Sequence, residues 1–158
     1  MGSPLNDVIK AVWEMRDRKY GADAEMLNTK ELLRCAVMEV GEVFDAWFRL
    51  DLKMQRTESR NMDLFHEVND VAMLLITLLG RETRIREISP YSPRKNIPFA
   101  QAFDMIAYHV ASALITQGLH SFHLTPTALQ HIIKAIGVLQ IVPGWSFELF
   151  IADMKQVT

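Results

Sequence analysis

Four carboxylates stand in two matched pairs: Glu39 and Glu42 in the string EVGE, and Glu67 and Asp70 in the string EVND, with residues 43–66 between them. A three-residue spacing puts both members of a pair on one side of a helix, one turn apart. Four such groups converging from neighbouring helices repel one another and raise their own pKa values unless a multivalent cation lies between them. Arginine or lysine partners are the competing way to neutralise them. An all-oxygen ligand set, with no His or Cys at a useful spacing, points to a hard ion such as magnesium or manganese and away from zinc. Magnesium held by few carboxylates keeps waters and recruits phosphate oxygens, so phosphoryl chemistry is the natural reaction class.

The elements that must position these groups read as helices throughout. Ser3-Pro4 predicts a helix start, with Val8, Ile9, Val12 and Trp13 on its apolar side and an end near Tyr20-Gly21. Asn28 and Glu31 have the spacing of a capping box, opening a long helix through Leu33, Ala36, Val37, Val40, Phe44 and Trp47 to about Leu52. A polar stretch, Gln55 to Arg60, precedes a third helix from about Asn61 to Leu79 with Gly80 at its exit. Arg81 to Asn96, charged and proline-containing, reads as a linker. Beyond it, Pro98 opens a helix to Gln117-Gly118, Thr125-Pro126 another to about Gln140, and a last helix begins near Ser146. The expectation is an all-α helical bundle of five to six helices in a single domain, 1–158. Its chemistry-bearing half is about 5–81 and its helical packing half about 97–157.

At about 100° per residue, Glu39 falls inside the apolar arc of the second helix and Glu67 inside that of the third, while Glu42 and Asp70 sit on the borders. Burying an unpaired carboxylate costs several kcal/mol, so the first two demand a compensating positive charge. Glu39 and Glu67 are therefore expected to be the more buried members.

The composition narrows the partners. With 49% hydrophobic and 23% charged residues the chain is globular, and a net charge of -2 argues against a nucleic-acid polymer or an anionic membrane as partner. No apolar run approaches the ~18 residues of a membrane span. The N-terminus carries no leader pattern, and the lone Cys35 excludes an intramolecular disulfide framework, which together favour the cytoplasm. Nine methionines and long apolar stripes suggest more hydrophobic surface than one chain hides, favouring a homodimer.

The ExxE and ExxD pairs resemble the signature of the all-α nucleotide pyrophosphatase superfamily, which includes MazG-like proteins and dimeric dUTPases. The resemblance covers roughly Leu5 to Arg81. It implies a bundle completed by dimerisation and hydrolysis of a nucleoside triphosphate, often a deoxynucleotide, to the monophosphate and pyrophosphate as house-cleaning or pool control. Carried over, Glu39, Glu42, Glu67 and Asp70 would hold magnesium, or manganese in its place, and activate the attacking water. A carboxylate not saturated by metal can act as general base, and Glu42, nearest the polar edge, is the expected one, with Glu39 beside it. After its ExxD the family carries asparagine and lysine or arginine positions. Here Val71 to Leu79 holds only Thr77 as a polar residue.

Supporting residues follow from helical position. Arg81 and Lys53 lie on the acidic sides of their helices and are candidate phosphate clamps, with Arg84 and Arg86 as weaker ones. Trp13 is a candidate base contact, and Trp47 a core residue that could also stack. Asn69 and His66 flank the acidic pair on other faces, where solvated or supporting roles are expected. His109, His120, His123 and His131 lack a ligand pattern and read as structural. A non-catalytic nucleotide- or metal-binding module is the alternative to the enzyme. A purely helical interaction protein, its carboxylates paired with Arg34, Arg49 or Lys53, is the third possibility.

Overall fold

Three of the helix starts follow from their capping residues. The Asn28 side chain accepts a hydrogen bond from the Glu31 amide (3.1 Å), Thr125 from Ala128 (3.2 Å), and Ser146 from Leu149 (3.1 Å), each satisfying a donor that the first helical turn leaves open. The computed structural model describes residues 4–21, 28–53, 58–83, 88–94, 96–119 and 122–157, with the backbone alone at 49–53, 58–62, 99 and 157. These residues form six helices and no strand: α1 (Pro4–Tyr20), α2 (Thr29–Lys53), α3 (Glu58–Glu82), α4 (Phe99–Thr116), α5 (Pro126–Leu139) and α6 (Phe147–Val157). Among them no helix is long and apolar enough to cross a membrane.

α3 is the central element, packed against α1, α2 and α5, while α4 lies on α2 and α5, and α6 lies on α1. Leu33, Ala36, Val40 and Val43 of α2 and Val68, Val71, Leu75 and Leu78 of α3 enter one buried core with the apolar faces of the other helices. That core sets the azimuth of the acidic pairs, because the residues beside them, Val40 and Val43 on α2 and Val68 and Val71 on α3, cannot turn to water without losing their burial.

Two expectations are corrected at the ends of α3. The helix begins at Glu58, inside the stretch expected to be polar loop, and runs through Gly80 to Glu82, so the linker does not begin at Arg81. Gly80 is not an exit signal. A Cβ there would collide with the Trp13 indole, so the glycine lets α1 and the last turn of α3 approach closely. Pro143-Gly144 does form the expected turn before α6, with Gly144 at φ 80, where a side chain would be strained.

Candidate metal centre

Glu39 of α2 and Glu67 and Asp70 of α3 each bring a carboxylate oxygen within 4.8 Å of the others. Glu39 and Glu67 are half-buried and Glu42 and Asp70 exposed, the order read from the helical arcs. One oxygen of each inner residue, Glu39 Oε2 and Glu67 Oε2, is buried with no hydrogen-bond partner. A buried acceptor left without a donor costs of the order of 1–3 kcal/mol, more if charged.

Glu42 lies outside that trio but close enough to bear on Glu67. Burial first, then the neighbouring Glu42, Asp70 and Glu39, push the Glu67 carboxyl up to about 7. Glu39 is also raised, by burial first and then by Asp70 and Glu42. Asp70 is raised by burial and by Glu42 and Asp153, with His66 opposing. Among the described residues only His66 offsets any of this charge, at Asp70, so the cluster is electrostatically unfavourable as it stands.

The donor chemistry suits a hard divalent ion. Oxygens bound to one magnesium at about 2.1 Å lie roughly 3–4 Å apart, so small rotamer changes would bring three oxygens within 4.8 Å of one another onto a common ion. Behind the trio an apolar cavity of ≈ 10 Å³, lined by Val40, Val43, Phe44, Val68, Val71, Phe103, Ile106 and Leu139, has room for about one water and no polar wall to hold it. A ligand larger than water would meet the carboxylates from the solvent side, where Glu42 and Asp70 are exposed.

Other candidates from the sequence are not brought to this cluster. Arg81 continues α3 about 16 Å beyond Asp70. It is buried, donating from Nη1 to Thr29 Oγ1 (2.8 Å) and Phe122 O (3.4 Å), with its guanidinium 4.4 Å from the Phe122 ring centroid. It clamps the turn before α5 to the start of α2, not a phosphate. Trp13 is also buried, seated against Gly80 about 15 Å along α3 from Asp70, and is core instead of a base contact. Trp47 packs on Phe103 (5.8 Å between centroids). Thr77 is buried and donates to Met73 O (2.7 Å), so it does not face the carboxylates with a free hydroxyl. The Lys53 side chain, Arg84, Arg86 and His120 lie outside the described residues.

Asn69 is not solvated, as one alternative had it. It is buried, donating from Nδ2 to Asp153 Oδ2 (2.8 Å) and accepting at Oδ1 from Trp145 Nε1 (2.8 Å). His66 Nδ1 stands 3.4 Å from the same Asp153 oxygen. Asp153 and Trp145 carry no motif and meet Asn69 only through the tertiary fold, from α6 and the turn before it, so sequence spacing held no signal for them. Among the remaining histidines, His123 lies 3.5 Å from buried Glu82, and His109 and His131 meet at 3.0 Å between their Nδ1 atoms.

No family model, no curated protein and no solved structure matches this chain.

Proposed function

We propose that the chain is a magnesium-dependent nucleoside triphosphate pyrophosphohydrolase, releasing the monophosphate and pyrophosphate, in keeping with its resemblance to the MazG-like enzymes. The observation that carries this reading is the convergence of Glu39, Glu67 and Asp70 within 4.8 Å, with inner oxygens buried and without a donor. These three would hold the ion, which when bound neutralises phosphate charge and lowers the pKa of the attacking water. Manganese fits the same donors.

The protein's own residues then have separable tasks. Glu39 and Glu67, half-buried, orient rigidly from the core-facing sides of two helices. Glu42, outside the trio and exposed, stands beside Glu67 on the solvent side and would act as the general base toward the attacking water. The triphosphate approaches from solvent over Glu42 and Asp70, and no serine or cysteine nucleophile is required. The substrate class is a free nucleotide, most naturally a deoxynucleotide, met in the cytoplasm; neither a nucleic-acid polymer nor a membrane is a partner. Exposed Met38 and Phe48 on α2 and Tyr108, Ile115 and Leu119 on and after α4 support a homodimer.

The test is pyrophosphate release from each nucleoside triphosphate with magnesium, in the wild type and in Glu39→Gln and Asp70→Asn. The reading requires turnover that both substitutions and EDTA abolish while the circular dichroism is unchanged. Thermal stabilisation by magnesium and nucleotide without product would favour the non-catalytic binding module.

A further inference from the structure

We infer that Asp153, in the last helix, is a positioning residue of the acidic centre: with Trp145 it grips Asn69 and thereby fixes the rotation of α3 that brings Glu67 and Asp70 onto Glu39. The inference rests on the reading that these carboxylates hold a divalent ion, and it assigns the second half of the chain a part in that site.

Asn69 sits in the same helical turn as Glu67 and Asp70 but points the other way, toward α6. Both ends of its amide are engaged, by Asp153 Oδ2 and by Trp145 Nε1, each at 2.8 Å. Trp145 is itself held, its ring 5.5 Å from Phe147 and 6.1 Å from Phe150. Asp153 has a second neighbour on α3, His66 at 3.4 Å, one turn before Asp70. α6 packs mainly on α1, and Asp153 carries a polar contact from it to α3.

Apolar packing alone tolerates small rotations of a helix, because burial is non-directional. Hydrogen bonds of 2.8 Å to a buried amide are directional and costly to break. A carboxylate about 6 Å from the helix axis moves about 2 Å when the helix turns by about 20°. Metal–ligand distances tolerate about 0.2 Å. The core sets the coarse azimuth of α3, but a rotation of this size already dismantles the trio, and the Asn69 clamp is placed to prevent it. The Asp153 charge also bears on Asp70, so the residue adds to the negative field of the centre as well as to its geometry.

Direct manganese binding tests this, read as loss of the free-ion electron paramagnetic resonance signal on titration, beside thermal melts in EDTA. Asp153→Ala, Asn69→Ala and Trp145→Phe are expected to weaken manganese binding at least ~10-fold, as loss of a ligand's supporting partner does. Asp153→Asn keeps an oxygen that accepts from Asn69 and is expected to stay within ~5-fold of wild type. Leu129→Ala, a cavity in α5 away from the site, is expected to lower the melting temperature yet bind manganese normally. Wild-type affinity in both Asp153→Ala and Trp145→Phe would overturn the inference. So would affinity that simply tracks melting temperature across all variants, Leu129→Ala included. If the wild type itself takes up no manganese, the metal-centre reading fails first and the inference falls with it.

Discussion

Glu67 faces Glu42 across the seam between α2 and α3, and the neighbouring carboxylate helps to raise the Glu67 carboxyl above its ordinary range. Burial first, then Glu42, Asp70 and Glu39, hold the Glu67 proton up to about 7. The folded chain therefore binds more protons than the unfolded chain between pH ~4.5 and ~7. Folding stability at this site is full below the lower value and lost as pH rises through the upper one. The centre costs stability at neutral pH for as long as it is empty of cations.

Glu67→Gln should accordingly stabilise the metal-free protein. At pH 8 in EDTA the melting temperature is expected to rise by ~2–4 °C, about 1 kcal/mol after allowing for partial exposure. Magnesium should no longer shift it. A fall in melting temperature would mean that the charge on Glu67 is compensated within the protein.

A cation entering the trio must displace the Glu67 proton. Apparent magnesium affinity is then expected to fall by up to ~10-fold per pH unit below about 7 and to level off above it. Calorimetry in two buffers of different ionisation enthalpy reads the released proton directly. An affinity flat from pH 5.5 to 8 would contradict the raised Glu67 carboxyl.

Much of this was legible in the residues, for physical reasons that differ by element. Asn28, Thr125 and Ser146 marked helix starts because a cap is a local interaction, complete within four residues. The burial order of Glu39 and Glu67 against Glu42 and Asp70 followed from helical period alone. Gly80 misled because its meaning is tertiary: a glycine that ends a helix and one that admits a tryptophan look alike in sequence. Arg81 misled similarly, since helical azimuth places its Cα but not which of several neighbours its long side chain will reach. Asn69 with Asp153 and Trp145 could not be read at all, because the partners are 84 and 76 residues away.

The two glycines on the acidic helices should respond oppositely to alanine. At Gly80 the new Cβ meets the Trp13 indole and Ile9, so Gly80→Ala is expected to cost about 1–3 kcal/mol, read by thermal or urea melts. At Gly41, exposed and with nothing within 4 Å of where the new methyl would sit, Gly41→Ala should stabilise α2 by about 0.5–1 kcal/mol. Equal destabilisation at both would show that α2 needs glycine for more than space.

Arg81→Lys separates a structural arginine from a phosphate clamp. Lysine keeps the charge but loses both the fork that reaches Thr29 and Phe122 O and the planar face over the Phe122 ring. The melting temperature should fall by several degrees, about 1–2 kcal/mol, while manganese affinity and the KM for nucleotide stay unchanged. A raised KM with an unchanged melting temperature would return Arg81 to the substrate.

The His109–His131 pair should give the acid side of the stability profile. At 3.0 Å between Nδ1 atoms, one ring donates and the other accepts, so the contact is lost once both rings are protonated. Burial holds His109 down to about 4, with His131 and Lys134 adding to it, and burial and Lys134 also lower His131. Here the unfolded chain binds more protons between pH ~4 and ~6.5, so stability is present above that window and lost as pH falls through it. Glu67 acts with the opposite sign over much of the same range, which flattens the wild-type profile. Glu67→Gln should therefore steepen the loss of melting temperature between pH 6.5 and 4.5, and replacing both histidines by leucine should reduce it. A double-leucine variant with an unchanged acid slope would place the origin of that slope elsewhere in the chain.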